Sequence, residues 1–236
     1  MMVSERDTIA ERVRLIQAAV RRAEARAGRP AGAVRMVAVT KSVPVERIQD
    51  GIDAGLTVLG ENRLQEALPK LEALASAPVR WHFIGHLQRR KVRALIGRFD
   101  LIHSVDSVEL AEEIDRRARE AGLRQDVLLE VNVGGEPTKT GFHPEALAGM
   151  MSVLASLPQI RILGLMTIPP PTPEAEQARP FFRRLRALAG EIAALRIPSV
   201  SMAELSMGMS NDYEIAIEEG ATFVRIGTAL FGARRG

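Results

Sequence analysis

Eight short apolar runs alternate with eight amphipathic stretches between residues 36 and 232. That rhythm constrains the fold more than any single residue does. The runs are MVAVT (36–40), TVLG (57–60), WHFIG (81–85), DLIHSV (100–105), DVLLEVNV (126–133), IRILGLMTI (160–168), SVSMAELSM (199–207) and TFVRIG (222–227). Helical patterns follow each: 44–55, 61–75, 88–97, 107–121, 144–156, 173–195, 211–219 and 228–232. A further helix precedes them at 8–27, where Ile9, Val13, Ile16, Val20, Ala23 and Ala27 form one stripe before Gly28 and Pro30. Asp106 is placed to cap the helix at 107–121, with Glu109 three residues on and Gly122 closing it. Strands and helices at this spacing give βαβ units and a parallel sheet. Eight units after one preliminary helix predict an α/β protein, a single (β/α)8 TIM barrel with an extra N-terminal helix. A doubly wound open sheet is the competitor, but TKSVP after the first strand is no glycine-rich phosphate turn. The proline cluster IPPPTP (168–173) falls inside one βα loop, so residues 1–236 read as one domain.

Composition narrows the function. Barrels of this kind run to about 250 residues, and 236 residues at 46% hydrophobic suffice for one. Thirty-two basic and 29 acidic residues nearly balance. The basic clusters at 89–91 and 183–186 lack interleaved aromatics and read as solvated faces, which predicts no nucleic-acid partner. The absence of cysteine excludes disulfides, thiol catalysis and thiolate metal sites. The charged N-terminus is no signal peptide, and no apolar run approaches the roughly 20 residues of a membrane span. A cytoplasmic protein without a membrane partner or a metal site is expected.

In a barrel the functional groups sit at the C-terminal strand ends. Lys41, Glu61, Asn62, His82, Gly85, His86, His103, Ser104, Asn132, Met166, Ser206, Ser210, Gly227 and Thr228 fall at or just after such ends. ELSMGMSND (204–212) and RIGTALFG (225–232) each lead small, hydroxyl-bearing residues into a helix start, where free N–H groups favour an anion. They follow strands 7 and 8, the usual phosphate position in barrels. Arg225 alternates with Val224 and Ile226 and points away from them, either to an ion pair across the barrel or to a ligand. Lys41, at the end of strand 1, is either a snorkelling lysine or a desolvated nucleophile. An amine facing an anion grip on the opposite wall suits an aldehyde-bearing phosphate, a sugar phosphate or pyridoxal 5′-phosphate (PLP).

VAVTK, GENRLQEALPK, WHFIGHLQ, ELSMGMSNDYEIAIEEGAT and VRIGTALFG together resemble the PLP-binding family called YggS in bacteria and PROSC or PLP homeostasis protein elsewhere. The family is similar to the N-terminal barrel of alanine racemase, among the fold-type III PLP proteins. The resemblance implies that Lys41 forms the internal aldimine with PLP. It implies that Ser210, Gly227 and Thr228 hold the phosphate and that Arg225 faces the pyridine nitrogen. Asn62, Met207 and Met209 match residues lining the cofactor pocket; His82, Gly85 and Lys139 match positions near the barrel mouth. Arg90 departs from the family, standing where asparagine is common in LQxNK, and bears on the electrostatics of the mouth.

An arginine at the ring nitrogen favours its unprotonated form and weakens the cofactor as an electron sink. Racemisation needs acid–base groups on both faces of the substrate carbon. In alanine racemase the second is a tyrosine from an additional β domain of the other subunit. The one tyrosine here, Tyr213, is expected to pack beside Ile217 at a helix start. The resemblance therefore implies a PLP carrier and regulator with no catalytic residues, binding PLP and related B6 vitamers and delivering PLP to apo-enzymes, as a monomer or weak homodimer. The alternatives are an amino-acid racemase, a Schiff-base aldolase, and a scaffold that binds through the arginine-rich helices.

Overall fold

Thr8 opens helix α1 (Ile9–Arg26) with a reciprocal cap: its hydroxyl accepts the Glu11 N–H, and the Glu11 carboxylate accepts the Thr8 N–H. The computed structural model describes residues 8–232. Ile9, Val13, Ile16, Val20 and Ala23 are buried along α1, as the stripe requires. After it come β1 (Arg35–Val39), α2 (Val45–Asp53), β2 (Val58–Glu61), α3 (Leu64–Ala73), β3 (Arg80–Phe83), α4 (Val92–Leu95), β4 (Leu101–Val105) and α5 (Val108–Glu120). The second half continues with β5 (Gln125–Glu130), α6 (Pro144–Ala155), β6 (Ile160–Met166), α7 (Arg179–Ala194), β7 (Val200–Met209), α8 (Tyr213–Glu218), β8 (Phe223–Ile226) and α9 (Thr228–Phe231).

The strands pair in parallel and in sequence order, and β8 returns to β1, where Arg225 stands opposite Val37. This is the closed (β/α)8 barrel that the alternation predicted, preceded by its extra helix. Strand side chains alternate between two layers. Ala38, Leu59, Phe83, Ile102, Leu129, Leu165 and Val224 pack against the helices. Val37, Val58, Leu101, Leu128, Met166 and Phe223 fill the barrel interior. No helix among the described residues is long and apolar enough to cross a membrane.

Three local expectations differ. The cap of α5 is Ser107, whose hydroxyl accepts the Leu110 N–H, while Asp106 accepts from Ser107 Oγ. The stretch at 88–97 is a 3-10 turn (Arg89–Lys91) followed by the short α4. The pattern from 173 divides into a 3-10 turn (Ala175–Ala178) and α7, because Pro180 lacks an N–H and is best placed in a first helical turn.

Candidate functional site at the barrel mouth

At the end of β1 the alternation that turns Val37 inward and Ala38 outward sends Lys41 to the mouth and Thr40 toward α3. Lys41 is half-buried. The next residue, Ser42, has φ +59°, a left-handed conformation uncommon outside glycine. Its N–H donates to Glu66 Oε2 of α3 at 2.9 Å. On β2 the same alternation puts Glu61 outward, fully buried, and Asn62 at the mouth. Asn62 Oδ1 is buried without a hydrogen-bond partner. The loop after β3 closes on this point: a Cβ on Gly85 would overlap the Asn62 carbonyl oxygen, so only glycine lets the two backbones approach.

Barrel closure sets the loops expected to hold an anion next to the strand of Lys41. β8 is the neighbour of β1, so the grip lies on adjacent strands and not on the opposite wall. Gly208, at φ +88°, and a register shift between Ser206 and Met209 turn the end of β7 toward β8. There the N–H groups of Gly227 and Ala229 approach Ser210 Oγ at 3.4 and 3.5 Å. Gly227 precedes α9, Thr228 is its first residue and exposed, and Met209 is exposed at the end of β7. The Met209 N–H donates to Asp212 Oδ1 at 2.6 Å, which fixes the turn.

Below the mouth a chain of buried polar groups crosses the barrel. Arg225 donates from Nη1 to Ser206 Oγ at 2.6 Å and from Nη2 to the Thr167 carbonyl at 2.8 Å. Ser206 Oγ lies 2.8 Å from His103 Nδ1, and His103 Nε2 lies 2.9 Å from His82 Nδ1. Guanidinium only donates, so Ser206 accepts from it and passes its own proton to His103 Nδ1. His103 Nε2–H then donates to His82. Both imidazoles stay neutral. Burial, then the Arg35 and Arg80 charges, push His82 down to about 3. Burial, then His82, Arg225 and Arg35, drive His103 well below its ordinary value. Burial lowers Arg225 to about 10 against the pull of Glu130 and Asp212, so it stays charged at neutral pH. Among the described residues no carboxylate pairs with it. Neutral acceptors hold it, in place of the ion pair that the sequence left open.

The structure thus brings Lys41, Asn62, Ser210, Arg225, Gly227 and Thr228 to one end of the barrel. It does not bring Met207 there. Met207 is fully buried in the layer between sheet and helices, because its neighbour Ser206 faces the interior. His82, expected near the mouth, lies within the barrel against Phe223, the first residue of β8. Lys139 pairs with Glu136 on the loop after β5, and its Nζ reaches the Ile168 carbonyl at 3.5 Å. Arg90 is exposed and bonds Gln88. Tyr213 packs partly buried against the core beside the buried Ile217. Sequence reasoning missed Glu130. Burial and the Asp106 charge push its carboxyl up to about 7, with Arg225 opposing. The signal was available, since Leu128 faces the interior and residue 130 shares its parity.

The chain matches the family model for the N-terminal domain of alanine racemase over residues 12–235. It is similar to the pyridoxal phosphate homeostasis protein of Aquifex aeolicus, 49% identical over 225 residues, covering 95% of this chain and 98% of the relative. The protein of that description from Pseudomonas aeruginosa is 44% identical over 228 residues, covering 96% of each. Among solved structures, PipY of Synechococcus elongatus with PLP bound superposes with a TM-score of 0.83 at 39% identity, over 95% of this chain and all of that one. The chain belongs to the family of the alanine racemase N-terminal domain and, within it, to the pyridoxal phosphate homeostasis proteins.

Proposed function

We propose that this member of the pyridoxal phosphate homeostasis family holds PLP at the barrel mouth through Lys41 and serves as a carrier and regulator of the cofactor. The donor set fits such a group. The N–H groups of Gly227 and Ala229 and the Ser210 hydroxyl suit a phosphate at the start of a helix. Arg225, a pure donor held by two neutral acceptors, suits an unprotonated ring nitrogen. The orphaned Asn62 Oδ1 calls for a donor from a ligand. When bound, the cofactor supplies an aldehyde that captures amines reversibly. Lys41 provides the amine, and the carbonyl oxygen leaves as water when the carbon–nitrogen double bond forms. Met209 and Thr228 border the opening.

The observation that carries this reading is the convergence of Lys41, Arg225 and the Ser210–Gly227 cup on two adjacent strands and the loop beside them. A racemase reading is weaker, since Tyr213 packs against the core. On this reading residues 1–236 form one cofactor-binding domain in the cytoplasm. It takes related B6 vitamers through the phosphate cup, delivers PLP to apo-enzymes, and works as a monomer or weak homodimer.

The purified protein is expected to be coloured, and borohydride is expected to fix a phosphopyridoxyl group on Lys41 and none in Lys41→Ala. Label on another lysine, or sustained racemisation of single amino-acid enantiomers above the Lys41→Ala control, would overturn it.

A further inference from the structure

We infer that Lys70, a second and buried lysine, acts with Glu61 and Glu66 as a clamp that positions Lys41 for its reaction with the aldehyde. The inference rests on the function proposed above and concerns how that site is built. Lys70 Nζ donates to the Thr40 carbonyl oxygen at 2.7 Å and to Glu61 Oε1 at 2.7 Å. Thr40 Oγ1 donates to the same carboxylate oxygen at 2.6 Å. The carbonyl that Lys70 holds belongs to the peptide joining Thr40 to Lys41. That oxygen also accepts the Val43 N–H at 3.0 Å, so both its lone pairs are engaged and the peptide plane is fixed. On the far side of Lys41, the Ser42 N–H is tied to Glu66 of the same helix. Both neighbours of Lys41 are therefore anchored to α3, while Lys41 itself turns to the mouth.

Stability alone does not explain the arrangement. Burying an ion pair costs desolvation that apolar side chains of similar volume avoid. Here Glu61 is fully buried with Oε2 left without a partner. Apolar replacements would fill the space but could not hold a carbonyl. The left-handed Ser42 adds local strain, which such anchors must outweigh. What the cluster supplies is a defined position for the Lys41 Cα, and capture of an aldehyde depends steeply on where the amine stands.

Two variants test this. Glu61→Gln/Lys70→Met removes the buried charges together, and Glu66→Ala cuts the Ser42 tie from a partly exposed position. For each, stopped-flow absorbance follows capture of PLP, borohydride labelling counts the product on Lys41, and titration measures affinity for pyridoxine 5′-phosphate, whose alcohol cannot react. Both variants are expected to slow capture by about tenfold or more, while pyridoxine 5′-phosphate binds as in the unaltered protein. Lys70→Arg, which keeps charge and donors, is expected to retain most of the rate. Unchanged capture in Glu66→Ala and in a folded double variant, with Lys41 labelled in the unaltered protein, overturns the clamp alone. An equal loss of pyridoxine 5′-phosphate affinity also overturns it, because the damage would then be general. No label on Lys41 in the unaltered protein overturns the functional reading itself.

Discussion

The two neighbouring sides of the barrel mouth are built by opposite means. Where β1 and β2 meet α3, position is set by charged side chains buried behind the strand, with Lys70 and Glu61 bonded to each other and to Thr40. Where β7 and β8 end, the proposed anion grip consists of backbone N–H groups and one hydroxyl, beside the turn at Gly208. On the function proposed above, the first side places one nucleophilic atom and benefits from rigid, directional ties. On the same function, the second side holds a multiply charged anion, which calls for several donors. The 3.4 and 3.5 Å approaches to Ser210 are longer than the ties of the first side.

The contrast is most exposed to single substitutions on the amine side. Glu61→Ala leaves Lys70 buried beside an empty place and is expected to cost about 3–5 kcal/mol in urea unfolding. A loss below about 1 kcal/mol would show the pair to be a minor contributor.

Glu130, on β5 across the barrel from β1, tests the charge balance that both sides share. Its folded-state value of about 7 lies above the ordinary carboxylate value of 4.5. The stability tied to its protonated form is whole below pH 4.5 and drains away as the pH rises through about 7. Against Glu130→Gln, the unaltered protein is therefore expected to lose up to about 3 kcal/mol across that window, with no further divergence above it. Parallel pH–stability curves would refute this. Ser206→Ala removes the acceptor of Arg225 and the donor to His103 Nδ1, and is expected to cost about 1–3 kcal/mol. Ser210→Ala, on the anion side, is expected to change stability by less than about 0.5 kcal/mol. It is also expected to weaken pyridoxine 5′-phosphate binding about tenfold, the worth of one bond to a charged group. If Ser210→Ala destabilised the fold as much as Glu61→Ala does, the distinction between the two sides would fail.

Much of the site was legible because strand alternation is a local property. Val224 and Ile226 flank Arg225, and that alone placed the guanidinium inside the barrel. Lys41 follows two inward positions on β1, and the small residues around Ser210 and Gly227 marked helix starts. Local reasoning failed where the outcome depended on a neighbour. Met207 was assigned to the pocket on resemblance, yet it faces the helices because Ser206 is bonded inside. Asp106 yielded its capping role to Ser107.

Periodicity by itself determined the number of strands and their parallel order, and set Arg225 opposite Val224 and Ile226, since these follow from the two-residue repeat of a strand and the apolar stripe of a helix. Only tertiary structure decided which inward residues meet. Closure of β8 onto β1 set Gly227 beside the strand of Lys41, and the approach of β4 to β7 across the interior joined His103 to Ser206. Contacts between residues 103 positions apart depend on barrel geometry and register, and no local sequence pattern encodes them.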